Sequence, residues 1–352
     1  AVTYTPHPGL PLPTVHTYAP DYRTFAEHNV QGVFTEHEHA ILADLRDLKI
    51  WMMLKLLEDP YRDDAALLAD FTDGFYGPAG PIVRRYLTEL QAAAEAANAA
   101  VNWFPPLSQY TYLTLDFLRR AQGIFDEAEA AVRSDPVLLR RVRHARLPVD
   151  RACLVLWPKL MREWTAANEP PEKIPLDRAA IAARCRETWL AQIDLRFPAA
   201  ARATHRAEAD AELVPLLARP AVVPLPERFH SLPPKDVFDF TAEQSSNWQD
   251  KAKRVPDAQA ASGITTRLEL TDEEMVKYKL PMGWGAYAPT GKQHLGSATI
   301  RPEQVPGPGY HWYKLPPVPV PPSAYVYFFW SWIVQFPIES AGAVSPPGQK
   351  FE

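Results

Sequence analysis

A short apolar run, Gly32-Val33-Phe34, leads into Thr35-Glu36-His37-Glu38-His39, a cluster of carboxylates and imidazoles. On an extended backbone Glu36 and Glu38 share a face, with Cα atoms about 6.6 Å apart. Glycoside hydrolysis uses two carboxyl groups, closer for retention than for inversion. Such pairs normally come from different strands, so Glu36 or Glu38 is expected to work with a partner elsewhere. Acidic residues before Ala40 also suit the positive end of a following helix, so a solvated helix start explains the same pattern. His37 and His39 alternate beside these carboxylates. They read as sugar contacts or polar loop residues; zinc is the third reading, with no His-Glu-x-x-His to support it.

Other candidates lie further off. His16 and Tyr18 sit between prolines just ahead of a helix, where a loop lines a cavity or simply covers a surface. Trp103, Trp157, Trp164 and Trp189 fall at helical positions and read as core. Trp284, between Gly283 and Gly285, reads as a loop residue able to present its ring to a sugar. Trp330 and Trp332 share one face of a strand, with Phe328 alongside.

Three regions must position these groups. Residues 1–58 read as mixed α/β, with a strand at Val30–Phe34 and a helix from Ala40 to Leu57, apolar at Ile41, Leu45, Leu48, Met52 and Leu56. Residues 59–220 read as helical throughout. Leu113, Phe117, Ala121, Ile124, Phe125, Ala128 and Val132 make one face, and Ser134-Asp135-Pro136 is a helix start. A long helix over Val137–Trp164, kinked at Pro148, follows. Asp177 opens another, through Ile181, Cys185, Trp189 and Ile193. Residues 221–352 lose the helical period. β-type runs at Val237–Phe240, Thr265–Leu270, Gly296–Ile300, Tyr310–Leu315 and Tyr325–Phe336 predict an antiparallel β-sandwich.

Composition narrows the function classes. The net charge of −5 leaves no nucleic-acid footprint. No apolar run approaches the ~20 residues of a membrane span. Cys153 and Cys185, the two cysteines, read as buried thiols rather than a disulfide. Dinucleotide, P-loop and nucleophile-elbow motifs are absent, and no cofactor or metal is expected.

Several motifs together resemble a bacterial domain-of-unknown-function family in the TIM-barrel glycoside hydrolase clan, related to α-glucuronidases. They are Leu12-Pro13 with Tyr18-Ala19-Pro20, Asn29 to Phe34, Lys49-Ile50-Trp51 through Leu57, Asp59-Pro60-Tyr61, Asp70-Phe71 and Phe75-Tyr76-Gly77-Pro78-Ala79. Tyr310-His311-Trp312-Tyr313 and Ser331-Trp332 extend the likeness. The resemblance implies a multidomain α+β chain. Residues 1–58 would be the C-terminal end of a (β/α)8 barrel, 59–220 a helical domain and 221–352 an incomplete β-sandwich, together the C-terminal portion of a longer protein. It further implies a secreted or cell-surface protein that hydrolyses or binds an oligo- or polysaccharide, with Glu36 and Glu38 catalytic. His16, Tyr18, His37, His39 and Trp284 would contact sugar. The alternatives are a non-catalytic carbohydrate-binding or scaffold protein and a metal-dependent hydrolase.

Overall fold

A computed structural model describes residues 9–35, 41–102, 105, 107–167, 169–218, 237–240, 252–256, 264–268, 280–288, 293–300, 304, 325–331 and 340–343. The chain divides into two compact units, Ala1–Trp164 with Glu169–Leu217, and Thr165–Asn168 with Ala218–Glu352.

The first unit is helical. Its elements are α1 (Tyr18–Glu27), α2 (Arg46–Glu58), α3 (Asp64–Tyr76), α4 (Gly80–Ala96), α5 (Leu115–Ala131), α6 (Pro136–Val155), α7 (Trp157–Ala166), α8 (Arg178–Arg196) and α9 (Ala199–Ala218), the last residues of α7 and α9 passing into the second unit. Four starts are set locally. Asp63, Thr114, Asp135 and Asp177 each accept a hydrogen bond from the backbone of the first turn, at 2.9–3.2 Å. Each such cap satisfies an amide that the helix itself leaves unpaired. Pro136 then occupies the first position of α6, where its missing N–H costs nothing. Gly77 ends α3 with φ +57°, and a Cβ there would also meet Leu138 Cδ1 at 2.8 Å.

The helices are held by one apolar core. Tyr18, Leu48 and Leu56 belong to the same buried cluster as Tyr86, Leu90, Phe117, Phe125 and Trp189. Burial of each large side chain contributes about 1.5–3 kcal/mol. The exposed ion pairs on the helix surfaces contribute about 0–1 kcal/mol each. Packing, not charge pairing, therefore decides the arrangement.

This architecture overturns the expected fold. Among the described residues there is no (β/α)8 barrel and no β-sandwich. Gly32-Val33-Phe34 is not a strand: residues 31–35 run outside any ladder, and Phe34 is 86% exposed. A barrel strand needs hydrogen-bonded neighbours and cover on both faces, and this segment has neither. It leaves α1 through Asn29, whose φ is +56°, with Val30 N–H donating to Phe25 O at 2.9 Å. The predicted helix from Ala40 also shortens. Ile41–Leu45 form turns, Leu45 has φ +47°, and α2 starts only at Arg46. The cause is Asp44, whose buried carboxylate accepts from Leu12 N–H at 3.1 Å and Lys49 Nζ at 2.8 Å. Those long-range bonds hold the loop out of helical register. Pro148 lies inside α6, and the single helix expected over 137–164 is divided at Leu156, with Pro158 in the first turn of α7.

Among the described residues of the second unit, seven strands pair into three antiparallel sheets. They are β1 (Val237–Phe240) with β7 (Ser340–Ala343), β2 (Ala252–Pro256) with β3 (Ile264–Leu268), and β4 (Leu280–Ala288) between β5 (Gln293–Ile300) and β6 (Tyr325–Ser331). Short ladders of this kind do not make the two packed layers of a sandwich. The predicted run Tyr310–Leu315 lies outside the described residues.

Candidate functional site

Of the predicted site residues, His16, Tyr18 and Trp284 fall among the described ones. Glu36, His37, Glu38 and His39 lie outside the described residues. His16 sits in the single turn Val15–Thr17 and is exposed. Tyr18 opens α1 and is buried, its hydroxyl 3.2 Å from Thr14 Oγ1. Tyr18 thus packs in the core of the helical unit. Trp284 is not in a loop: it lies within the central strand β4, opposite Ala298 and Phe328. Glycines in a strand interior mark close backbone approach as readily as a turn, which is why Gly283 and Gly285 misled.

A different site emerges where α8 and α9 form a helical hairpin. Asp194 accepts two bonds from Arg206, and Arg186 grips Asp210 at 2.8 and 3.2 Å. Partners that converge as one number rises and the other falls define an antiparallel pair. Arg202 Nε donates to Phe197 O at 3.0 Å and fixes the turn. Beside this hairpin lies a cavity of about 200 Å³. Trp189 and Ile193 line it from α8 at a step of four, and Phe197 follows from the extended residue that caps the end of α8. His205, Glu208 and Glu212 line it from α9 at steps of three and four, and Ile41 and Leu42 close it from the turn before α2. These spacings put each set on one helix face.

The lining is aromatic and acidic. The His205 ring stacks on Phe197 with centroids 3.7 Å apart, and its Nδ1 lies 2.8 Å from Glu208 Oε2. Glu212 pairs with Arg151, a residue only 1% exposed. The Arg151 guanidinium also lies 5.4 Å from the Trp189 ring centroid. Aromatic faces attract such a cation, so Arg151 ties Glu212 and Trp189 into one wall. The opposite wall is tied as well. His144 Nε2 is 2.7 Å from Ile41 O, and its Nδ1 is 3.5 Å from Arg196 Nη2. Burial holds the His144 imidazole below its ordinary pKa, against the opposing pull of the Ile41 carbonyl.

Behind the hairpin, between α5, α6 and α8, is a closed polar cluster. Asp150 accepts from Arg184 at 2.7 and 2.9 Å and from Gln122 Nε2 at 2.8 Å. Arg146 Nε donates to Gln122 Oε1 at 3.1 Å, and its Nη1 pairs with Glu129. Cys153 and Cys185 beside it are free thiols. Burial pushes Cys153 up to about 12 and raises Cys185 as well, so neither supplies a thiolate nucleophile. Among the described residues no group of three His, Cys, Asp or Glu is placed to hold a metal ion.

His205, Glu208 and Glu212 carried a readable signal, two carboxylates and an imidazole at helical spacing in residues 199–218. Their use depends on Ile41 and Leu42, more than 160 positions away, which no local pattern reveals. Compared with known proteins, residues 2–88 match a family model described as a domain of unknown function (DUF4838). No curated protein and no solved structure matches the chain. Among the described residues no helix is long and apolar enough to cross a membrane. The matched stretch runs as far as α4 and, of the cavity lining, holds Ile41 and Leu42: similarity to that family therefore reaches one wall of the site.

Proposed function

We propose that this chain is a non-catalytic carbohydrate-binding module whose helical unit holds one sugar ring in the α8–α9 cavity. The carrying observation is the lining itself. Aromatic surface at Phe197, His205 and Trp189 suits the apolar face of a sugar, and Glu208 and Glu212 offer acceptors for its hydroxyls. At about 200 Å³ the cavity is smaller than the ~300–1,000 Å³ of sites for drug-sized ligands. It suits a single ring or a chain end rather than a polysaccharide laid lengthwise.

The likeness to a glycoside-hydrolase clan related to α-glucuronidases favours the same ligand class and a secreted or cell-surface location. Hydrolysis is the weaker reading. Its support was a barrel strand ending at Glu36 and Glu38, and that strand is absent. A binding module needs no acid/base pair.

The test is glycan-array binding followed by calorimetric titration of the full chain. Binding to at least one sugar, weakened about tenfold or more in Phe197→Ala, is expected, since a buried aromatic contact is worth roughly 1–3 kcal/mol. No binding to any glycan would refute the proposal. Release of reducing sugar, abolished in Glu36→Gln or Glu38→Gln, would replace it with the hydrolytic reading.

A further inference from the structure

The charge around the α8–α9 cavity narrows its ligand. Its lining holds two carboxylates, Glu208 and Glu212, and no lysine or arginine. Glu212 is matched by the Arg151 guanidinium. Glu208 stands differently. Among the described residues its one partner is His205, through Oε2, and its side chain is 61% exposed. Oε1 of Glu208 therefore remains open to a ligand at the mouth. The aromatic rings behind it present negative faces, which attract cations and repel anions. Among the described residues Glu208 is thus the lining carboxylate that no guanidinium matches.

We propose that the cavity selects an amine-bearing sugar. Its ring would lie against Phe197 and His205, and its ammonium would pair with Glu208. A neutral hexose would bind less well, and a uronate would be excluded by like charge. This inference rests on the carbohydrate-binding reading above. It adds the charge class of the ligand and assigns Glu208 as the residue that sets it.

The probes are glucosamine, N-acetylglucosamine, glucose and glucuronate. Each is titrated calorimetrically into the full chain at pH 7.0, where a sugar amine is largely protonated. Glucosamine is expected to bind roughly fivefold more tightly than glucose or N-acetylglucosamine, the size of one exposed ion pair with some aromatic help. Glucuronate is expected to bind weakest. Glu208→Gln should bring glucosamine down to the level of the neutral sugars. Equal binding of all four sugars would overturn the charge selection and leave carbohydrate binding standing. A glucosamine preference that survives in Glu208→Gln would overturn the assignment of Glu208. Absence of binding by all four sugars would overturn the amine selection, and absence of binding by every glycan of the array as well would overturn both readings.

Discussion

The helical unit contains two acidic–basic clusters with opposite uses of charge. Around Asp150 every group is answered inside the protein: Arg184, Arg146 and Gln122 converge on it or on one another, and Asp150 is 1% exposed. Around Glu208 the charges are answered only in part, and the site opens to solvent. Both clusters pair helices, and both include residues on α8 or next to it. The difference is whether any hydrogen-bonding capacity remains for a ligand. A closed cluster can specify packing but cannot bind; a cluster with a free carboxylate oxygen beside half-buried rings can.

The sharpest way to break this contrast is Asp150→Ala. It removes the buried carboxylate that accepts from both Arg184 and Gln122, so a loss of about 3–5 kcal/mol is expected in urea unfolding. A loss below 1 kcal/mol would mean that solvent reaches the cluster and that the two sites are alike.

His144 gives an intermediate effect. Its folded pKa lies below the ordinary imidazole value of roughly 6.5, so the unfolded chain takes up the proton first. The stability from neutral His144 is fully present above that value. It is lost as pH falls through it toward the lowered folded value, at up to about 1.4 kcal/mol per pH unit. The groups facing the ring are Arg196 on α8 and Arg46 and Asp47 on α2. Protonation sets the ring against Arg196 and Arg46, outweighing Asp47. Urea midpoints at pH 7.5 and 5.5 should therefore differ more in the wild type than in His144→Gln. Equal slopes in the two proteins would remove His144 from the account.

The smallest effect is expected at the open cluster. Glu208→Gln should change stability by no more than about 0.5 kcal/mol, as for exposed positions generally, while altering ligand choice. A larger loss would mark Glu208 as structural and erase the distinction between the two clusters.

Much of the helical unit was legible because its signals are local. Asp135 before Pro136 and Asp177 before a periodic apolar run mark α6 and α8 from neighbouring residues alone. Apolar residues at three- and four-residue steps likewise announce the buried faces of α4 and α5. The cavity was much less legible. Trp189 and Ile193 read as core, which they largely are, and their second use as a cavity wall depends on what stands opposite.

The amino-acid order alone settled the starts of α6 and α8, the buried faces of α4 and α5, and that the two cysteines serve as apolar filling. Those follow from hydrogen bonds and side chains within a few residues of each other. Tertiary structure decided the rest. It turned Ile41–Leu45 into a loop because the Asp44 carboxylate is claimed by Leu12 and Lys49. It left Val33 and Phe34 in solvent because no neighbouring strand covers them. It also made a site of Glu208 and Glu212 by setting Ile41 and Leu42 against the α8–α9 hairpin. A short apolar run or a pair of glutamates acquires its role from groups far away along the chain, and only folding chooses those groups.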